Sequence, residues 1–127
     1  MDPTVADQGY YGIIKLIQYL SGLINHYGDM NCQEYKSRQL AIGKLTLTAW
    51  KSYEQYWVIY TNGNNYRRQR LGATKLVTIL MAEMYVTFDE LVQNFSQQEI
   101  QELTYLINQY DYWIRQIYID LYRHHIA

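Results

Sequence analysis

Residues 62–70 read NGNNYRRQR, a run of turn-forming residues leading into Arg67, Arg68 and Arg70. Guanidinium groups gathered beside a turn have one ready chemistry, the binding of phosphate. Other reactive groups are sparse. A di-iron site in a helical bundle needs a glutamate three residues before a histidine. The residues at that offset from His26, His124 and His125 are Leu23, Leu121 and Tyr122. His124 and His125 are adjacent and would diverge by about 100° on a helix, a poor metal platform. Cys32, near the start of a predicted helix and close in sequence to His26, can be read as an activated thiol or as a small packing residue. No G-x-x-x-x-G-K-[ST] phosphate loop and no G-x-S-x-G elbow is present. These residues describe a protein that binds rather than an enzyme, with no cofactor.

The charge is unevenly spread. From Lys36 to Lys75, the eight cations Lys36, Arg38, Lys44, Lys51, Arg67, Arg68, Arg70 and Lys75 face only Glu54, a net +7. After residue 75, Arg115 and Arg123 stand against seven carboxylates, a net −5, although the whole chain carries only −1. On a helix Lys44 and Lys51 lie about 20° apart, with Lys36 about 80° from Lys44. Arg68 and Lys75 are one heptad apart. With Tyr66 beside them to stack on a base, these cations form an expected nucleic-acid-binding set. Two other readings stay open: an ordinary solvated surface, and charge-steered association between copies. No zinc finger, RNA-recognition signature or clear helix-turn-helix selects among them.

The elements that would position these groups are helices. After Pro3 no proline interrupts the chain. Tyr10, Ile13, Ile17, Leu20, Ile24 and Tyr27 recur every three or four residues, predicting a helix over about 8–27. Asn31 with Glu34 can cap a second, over about 32–60, with its apolar stripe through Ile42, Leu45, Ala49, Tyr53 and Tyr56. A third is expected over 66–94 on Ala73, Leu76, Leu80, Met84, Phe88, Leu91 and Phe95, broken near Val86 if Thr87 and Glu90 form a capping box. Ser96 with Glu99 opens a fourth, over 97–123, seamed by Ile100, Leu103, Ile107, Tyr110, Ile114, Ile117 and Leu121. Short connections between long helices predict an all-α, up-down-up-down four-helix bundle filling one domain, 1–127.

Fifteen tyrosines and three tryptophans exceed what such a core absorbs. Tyr105, Leu106, Tyr112, Trp113, Tyr118, Ile119 and Tyr122 lie off the fourth seam, and Trp50, Trp57, Tyr56 and Tyr60 raise the same question on the second helix. Trp50, Trp57, Tyr105, Tyr112, Trp113, Tyr118 and Tyr122 are therefore the expected protein interface, for another copy or a different partner. A lone cysteine suits a reducing, cytoplasmic setting. The N-terminal residues do not read as a signal peptide, and the purest apolar run, LVTILMA (76–82), is too short to span a bilayer. No membrane role is expected.

The order of these features resembles the small four-helix-bundle family that includes the accessory variability determinants of diversity-generating retroelements and the proteins of ribosomal intervening sequences. The likeness runs over about residues 10–119: an aromatic-aliphatic first helix (YYGIIKLIQYLSGLI), a long second, a basic then leucine-rich third (YRRQRLGATKLVTILMAEM) and the capped fourth (SQQEIQELTYLINQYDYWIRQI). Ser96, Leu103, Leu106, Trp113 and Ile114 match that family's last helix, whereas Asp111 and Tyr112 stand where it often has glycines. The resemblance implies a non-enzymatic, homo-oligomeric accessory that binds nucleic acid, RNA over DNA, and a reverse transcriptase. The alternative is a purely structural or protein-binding module, such as a coat protein or a small subunit of a larger complex.

Overall fold

Proline suits the first turn of a helix, where its missing N–H would have no partner, and α1 runs from it as Pro3–Gly28. Helix α2 follows as Lys36–Thr61, α3 as Arg67–Leu91 and α4 as Gln97–Ile126. The computed structural model describes the backbone of residues 3–28, 36–61 and 67–126, and the side chains of 4–28, 36–61, 68–121 and 123. The expected Asn31–Glu34 cap and Cys32 lie outside these residues. Each helix packs on its two sequence or spatial neighbours, α1 between α2 and α4, and α3 between the same two. Consecutive helices are antiparallel, since Tyr27 near the end of α1 meets Arg38 near the start of α2, and Ile59 near the end of α2 meets Arg70 near the start of α3. The architecture is thus the expected up-down-up-down bundle.

Ser96 and Glu99 form the predicted capping box: the Ser96 N–H donates to Glu99 Oε1 at 2.9 Å, and the Glu99 N–H to Ser96 Oγ at 3.2 Å. Reciprocal pairing of this kind satisfies two otherwise orphaned groups at a helix start, an N-cap side chain contributing about 1 kcal/mol. Thr87 and Glu90 open no helix. Helix α3 runs unbroken past Val86 to Leu91, and a single 3-10 turn, Val92–Asn94, leads to the chain reversal at Phe95. The continuous i→i−4 ladder leaves Thr87 inside a helix, where no N–H needs a cap.

The seam of α4 is buried as read from Leu103 to Leu121, with Ile100 half-buried at its start, and Leu106 joins it beside α1. Helix α3 is rotated from its predicted face. Ala73, Val77, Met81, Met84 and Phe88 enter the core, while Leu76 is 48% exposed and Leu80 only half-buried. The buried side also carries Thr74, whose hydroxyl donates to the Arg70 carbonyl at 2.7 Å, so that no polar atom there is left dry. On α1, Ile24 is exposed and Leu16 and Leu23 are buried instead.

Three buried tyrosines cross between helices at different heights. The Tyr56 hydroxyl donates to the Ala6 carbonyl, the Tyr110 and Ser52 hydroxyls share a 2.7 Å hydrogen bond, and Tyr27 donates to Glu99 Oε2 at 2.6 Å. Two glycines of α1 make room for the first two. A methyl group on Gly9 would overlap the Tyr56 ring and hydroxyl, and one on Gly12 would come within 3.3 Å of the Tyr110 Cα. Gly22 faces open space.

Two outcomes follow from this packing. Gly22→Ala should stabilise the protein by about 0.5–1 kcal/mol through lower chain entropy, while Gly9→Ala should destabilise it by roughly 1–2 kcal/mol because overlap outweighs that gain, both measured by urea unfolding. Burial raises the phenols of Tyr56 and Tyr110 above their ordinary 10.0. Their neutral forms therefore favour the fold below about pH 10, and that contribution is lost as the pH climbs towards the folded-state values and the unfolded chain alone ionises. Denaturant midpoints should fall steeply above pH 10, and less so in Tyr56→Phe.

Candidate binding surfaces

The predicted cations divide into two groups. Arg70, 6% exposed, is drawn inward: its Nε donates to the Ile59 carbonyl at 3.0 Å. Ile59 belongs to the last turn of α2, whose carbonyls have no intrahelical donor, so Arg70 caps that helix from α3. Desolvation lowers its pKa, opposed by Tyr56 and by Asp120. Arg38 is half-buried, with its guanidinium 5.5 Å over the Tyr27 ring and Nη1 donating to the Tyr27 hydroxyl at 3.2 Å. Tyr27 in turn donates to Glu99, which completes a chain from Arg38 to the Ser96 capping box. Arg70 is thus withdrawn from the surface where its place in the sequence suggests it, and Arg38 is partly withdrawn. Both stabilise an end of the bundle.

Lys36, Lys44, Lys51, Arg68 and Lys75 are exposed. Tyr66 and the side chain of Arg67 lie outside the described residues. The exposed sides of α2 and α3 that carry these cations are neither purely basic nor purely polar. Leu40 and Leu47 on α2, and Ile79 and Val86 on α3, stand out to solvent among the cations. Glu54 follows Lys51 on α2, and Glu83, Asp89 and Glu90 occupy the second half of α3, all exposed. Lysines early in α2 therefore lie at the same height as acids late in α3, because the two helices are antiparallel. The +7 of the hairpin is diluted where the bundle brings these acids alongside it.

A second surface is aromatic. On α2, Trp50 meets Tyr53 edge-on at 5.6 Å, and Tyr53 and Trp57 lie 6.3 Å apart. Tyr10 of α1 stacks on Tyr60 at 4.7 Å and touches Tyr53 and Trp57 at 6.3 Å each. Tyr60 is held by a 2.9 Å hydrogen bond to Asp7. Tyr11, edge-on to Tyr10, carries the belt over α1 into a shallow groove against Tyr105 and Trp113 of α4, with Gln8, Lys15 and Gln109 supplying polar rims. Tyr112 extends it, 4.9 Å from Trp113. Of the predicted interface, Trp50, Trp57, Tyr105 and Tyr112 are exposed and Trp113 half-buried, all in this belt. Tyr118 lies apart from it, half-buried in a cleft with Thr78, Arg115 and Ile119 between α3 and α4. The Tyr122 side chain is outside the described residues.

Tyr85 locks α3 to α4 below the belt. Its hydroxyl donates to Asn108 Oδ1 at 2.7 Å and approaches Asp111 Oδ2 at 3.3 Å, while Arg115 pairs with Asp111 at 3.0 Å. Burial, with the Asp111 charge adding to it, pushes the Tyr85 phenol up to about 12. It is a neutral donor at physiological pH. Among the described residues no group of histidine, cysteine and carboxylate side chains is gathered to hold a metal ion.

Comparison with family models, curated proteins and solved structures finds no match to this chain.

The positions that periodicity overlooked share one property. Leu40, Leu47, Ile79 and Val86 are apolar residues far from the stripe of their own helix, and that angular separation is their signal in the sequence. Helix α3 is also long and apolar enough to cross a membrane by length and composition, over Arg68–Asn94, although it contains no unbroken uncharged run of that length. A third of its 18-residue apolar stretch is buried in the bundle.

Arg70→Met should cost about 1–3 kcal/mol by leaving the Ile59 carbonyl without its donor, whereas Arg68→Met should change stability by no more than about 0.5 kcal/mol. Thermal and urea unfolding of the two variants side by side measure the difference.

Proposed function

We propose that this chain is a non-enzymatic interaction module, a rigid four-helix platform whose aromatic belt takes a protein partner. The observation that carries this reading is the continuity of the belt. Trp50, Trp57, Tyr11, Tyr105 and Tyr112 keep large exposed surfaces while their neighbours stack, so a partner meets side chains already ordered. Tyrosine and tryptophan offer broad contact at small entropic cost and dominate the binding energy of protein interfaces. The polar chemistry supports the same reading. Tyr27, Tyr56 and Tyr85 donate hydrogen bonds across helices and Tyr110 shares one with Ser52, so these hydroxyls are engaged in holding the bundle together.

The exposed cations support a second reading, an oligomeric accessory that binds nucleic acid, RNA over DNA, in company with a protein such as a reverse transcriptase. Lys44, Lys51, Arg68 and Lys75 are exposed and available to phosphates. Their affinity would fall steeply with added salt, whereas an aromatic protein interface would tolerate it. Arg70 must be left intact in any such test, because its role is to cap α2.

A photo-activated crosslinker at position 105, used in the cells that make the protein, is expected to trap one discrete protein. Tyr11→Ser with Tyr112→Ser should weaken that complex by roughly 1–3 kcal/mol while the fold is kept. Crosslinks no different from those obtained at Gln18 would overturn the belt as the docking site. Salt-sensitive RNA binding lost in the Lys44→Glu, Lys51→Glu, Arg68→Glu, Lys75→Glu variant would establish the second reading instead.

A further inference from the structure

The outward face of α3 has a symmetry of its own, separate from the aromatic belt and independent of its reading. Ile79, 62% exposed, stands at the middle of the helix with no part in the core. Seven residues beyond it is Val86, 58% exposed, and seven before it is Gly72, also exposed, where an added methyl group would meet nothing within 4 Å. Eleven residues before it is Arg68 and eleven after it Glu90, four before it Lys75 and four after it Glu83, with Asp89 between Glu83 and the helix end. At 100° per residue, Arg68, Gly72, Val86 and Glu90 all fall within about 20° of Ile79, and Lys75 and Glu83 within about 40°. One surface therefore runs from basic through apolar to acidic along a single straight helix.

We propose that this face is where a second copy of the chain docks, α3 against α3, antiparallel about a two-fold axis passing at Ile79. A two-fold contact must be complementary to itself. Reversing one copy sets the Arg68 and Lys75 end of each helix on the Glu83, Asp89 and Glu90 end of the other. The same operation sets Ile79 on Ile79 and Val86 over the space at Gly72. Parallel pairing would oppose like charges along the whole length. The neighbouring helix is unsuited to the centre of such a contact, because Lys36, Lys44 and Lys51 of α2 would meet their own copies with only Glu54 to offset them. The long apolar content of α3 follows from this arrangement: one side serves the core of its own bundle and the other the seam between copies.

The test is a pair of charge-uniform variants, one with Arg68→Glu and Lys75→Glu, the other with Glu83→Lys, Asp89→Lys and Glu90→Lys. All five positions are exposed, so helicity by circular dichroism should match the parent. The parent is expected to sediment as a dimer, and each variant alone to dissociate with affinity reduced roughly tenfold or more. Mixed in equal amounts, the two variants should recover a mixed dimer, since every acidic segment then faces a basic one. Ile79→Cys in a Cys32→Ser background should form an intermolecular disulfide on oxidation, the residue at the axis facing itself. A parent that stays monomeric, a mixture that fails to associate, or dimers insensitive to both the charge changes and Ile79→Asp would each overturn the proposal. So would a monomer that binds anionic vesicles through Ile79 and Val86.

Discussion

A tyrosine ring buries well and its hydroxyl does not, and this bundle is built around that conflict. Among the described residues three tyrosines reach the interior, and each must bring a hydrogen-bond partner with it or leave a polar atom dry at a cost of a few kcal/mol. Tyr56 takes the Ala6 carbonyl, Tyr110 takes Ser52, and Tyr27 takes Glu99. Because each partner sits on another helix, satisfying the hydroxyls also fixes how α1, α2 and α4 are set lengthwise against one another. Apolar side chains alone would tolerate more than one register. The glycines at positions 9 and 12 belong to the same solution, since the rings fit only where α1 presents no side chain.

The two arginines drawn inward show the same economy at the ends of the bundle. A helix end leaves carbonyls without donors, and a long cationic side chain from the next helix can supply them while its charge stays near water. Arg70 does this for α2, and Arg38 extends the Tyr27–Glu99 pair that anchors the start of α4. Lys36, Lys44, Lys51, Arg68 and Lys75 are left outside. Local charge density in the sequence counts both kinds alike, and only the packing of the chain ends separates them.

With the core filled, the surplus of aromatic side chains has to lie outside. It collects across α1, α2 and α4 as the belt, with rings in contact over α1 and α2 and again at Tyr112 and Trp113, while α3 carries none of it and presents aliphatic residues between charges of opposite sign. The molecule thus has surfaces of different chemistry on different sides. A platform with separate faces suits a protein that holds more than one neighbour at once, and the hydrogen bonds between helices keep those faces in fixed relation.

Periodicity and capping residues were enough to establish the helices, their order and the start of α4, because a three-or-four spacing of apolar residues and a Ser-x-x-Glu box are local properties of the chain. The seam of α4 was legible for the same reason, its heptads admitting one face only. Helix α3 was not: in LVTILMA both Leu76 with Leu80 and Val77 with Met81 make an acceptable stripe, and the packing of the bundle buried the second together with Ala73 and a Thr74 satisfied by its own helix. Which arginine is exposed and which is a cap was equally hidden, since charge is written in the sequence but the carbonyl that claims Arg70 comes from another helix. What the amino-acid order determined alone was local geometry and composition. What only the tertiary structure decided was which side of each helix is dry, because burial depends on partners far away along the chain.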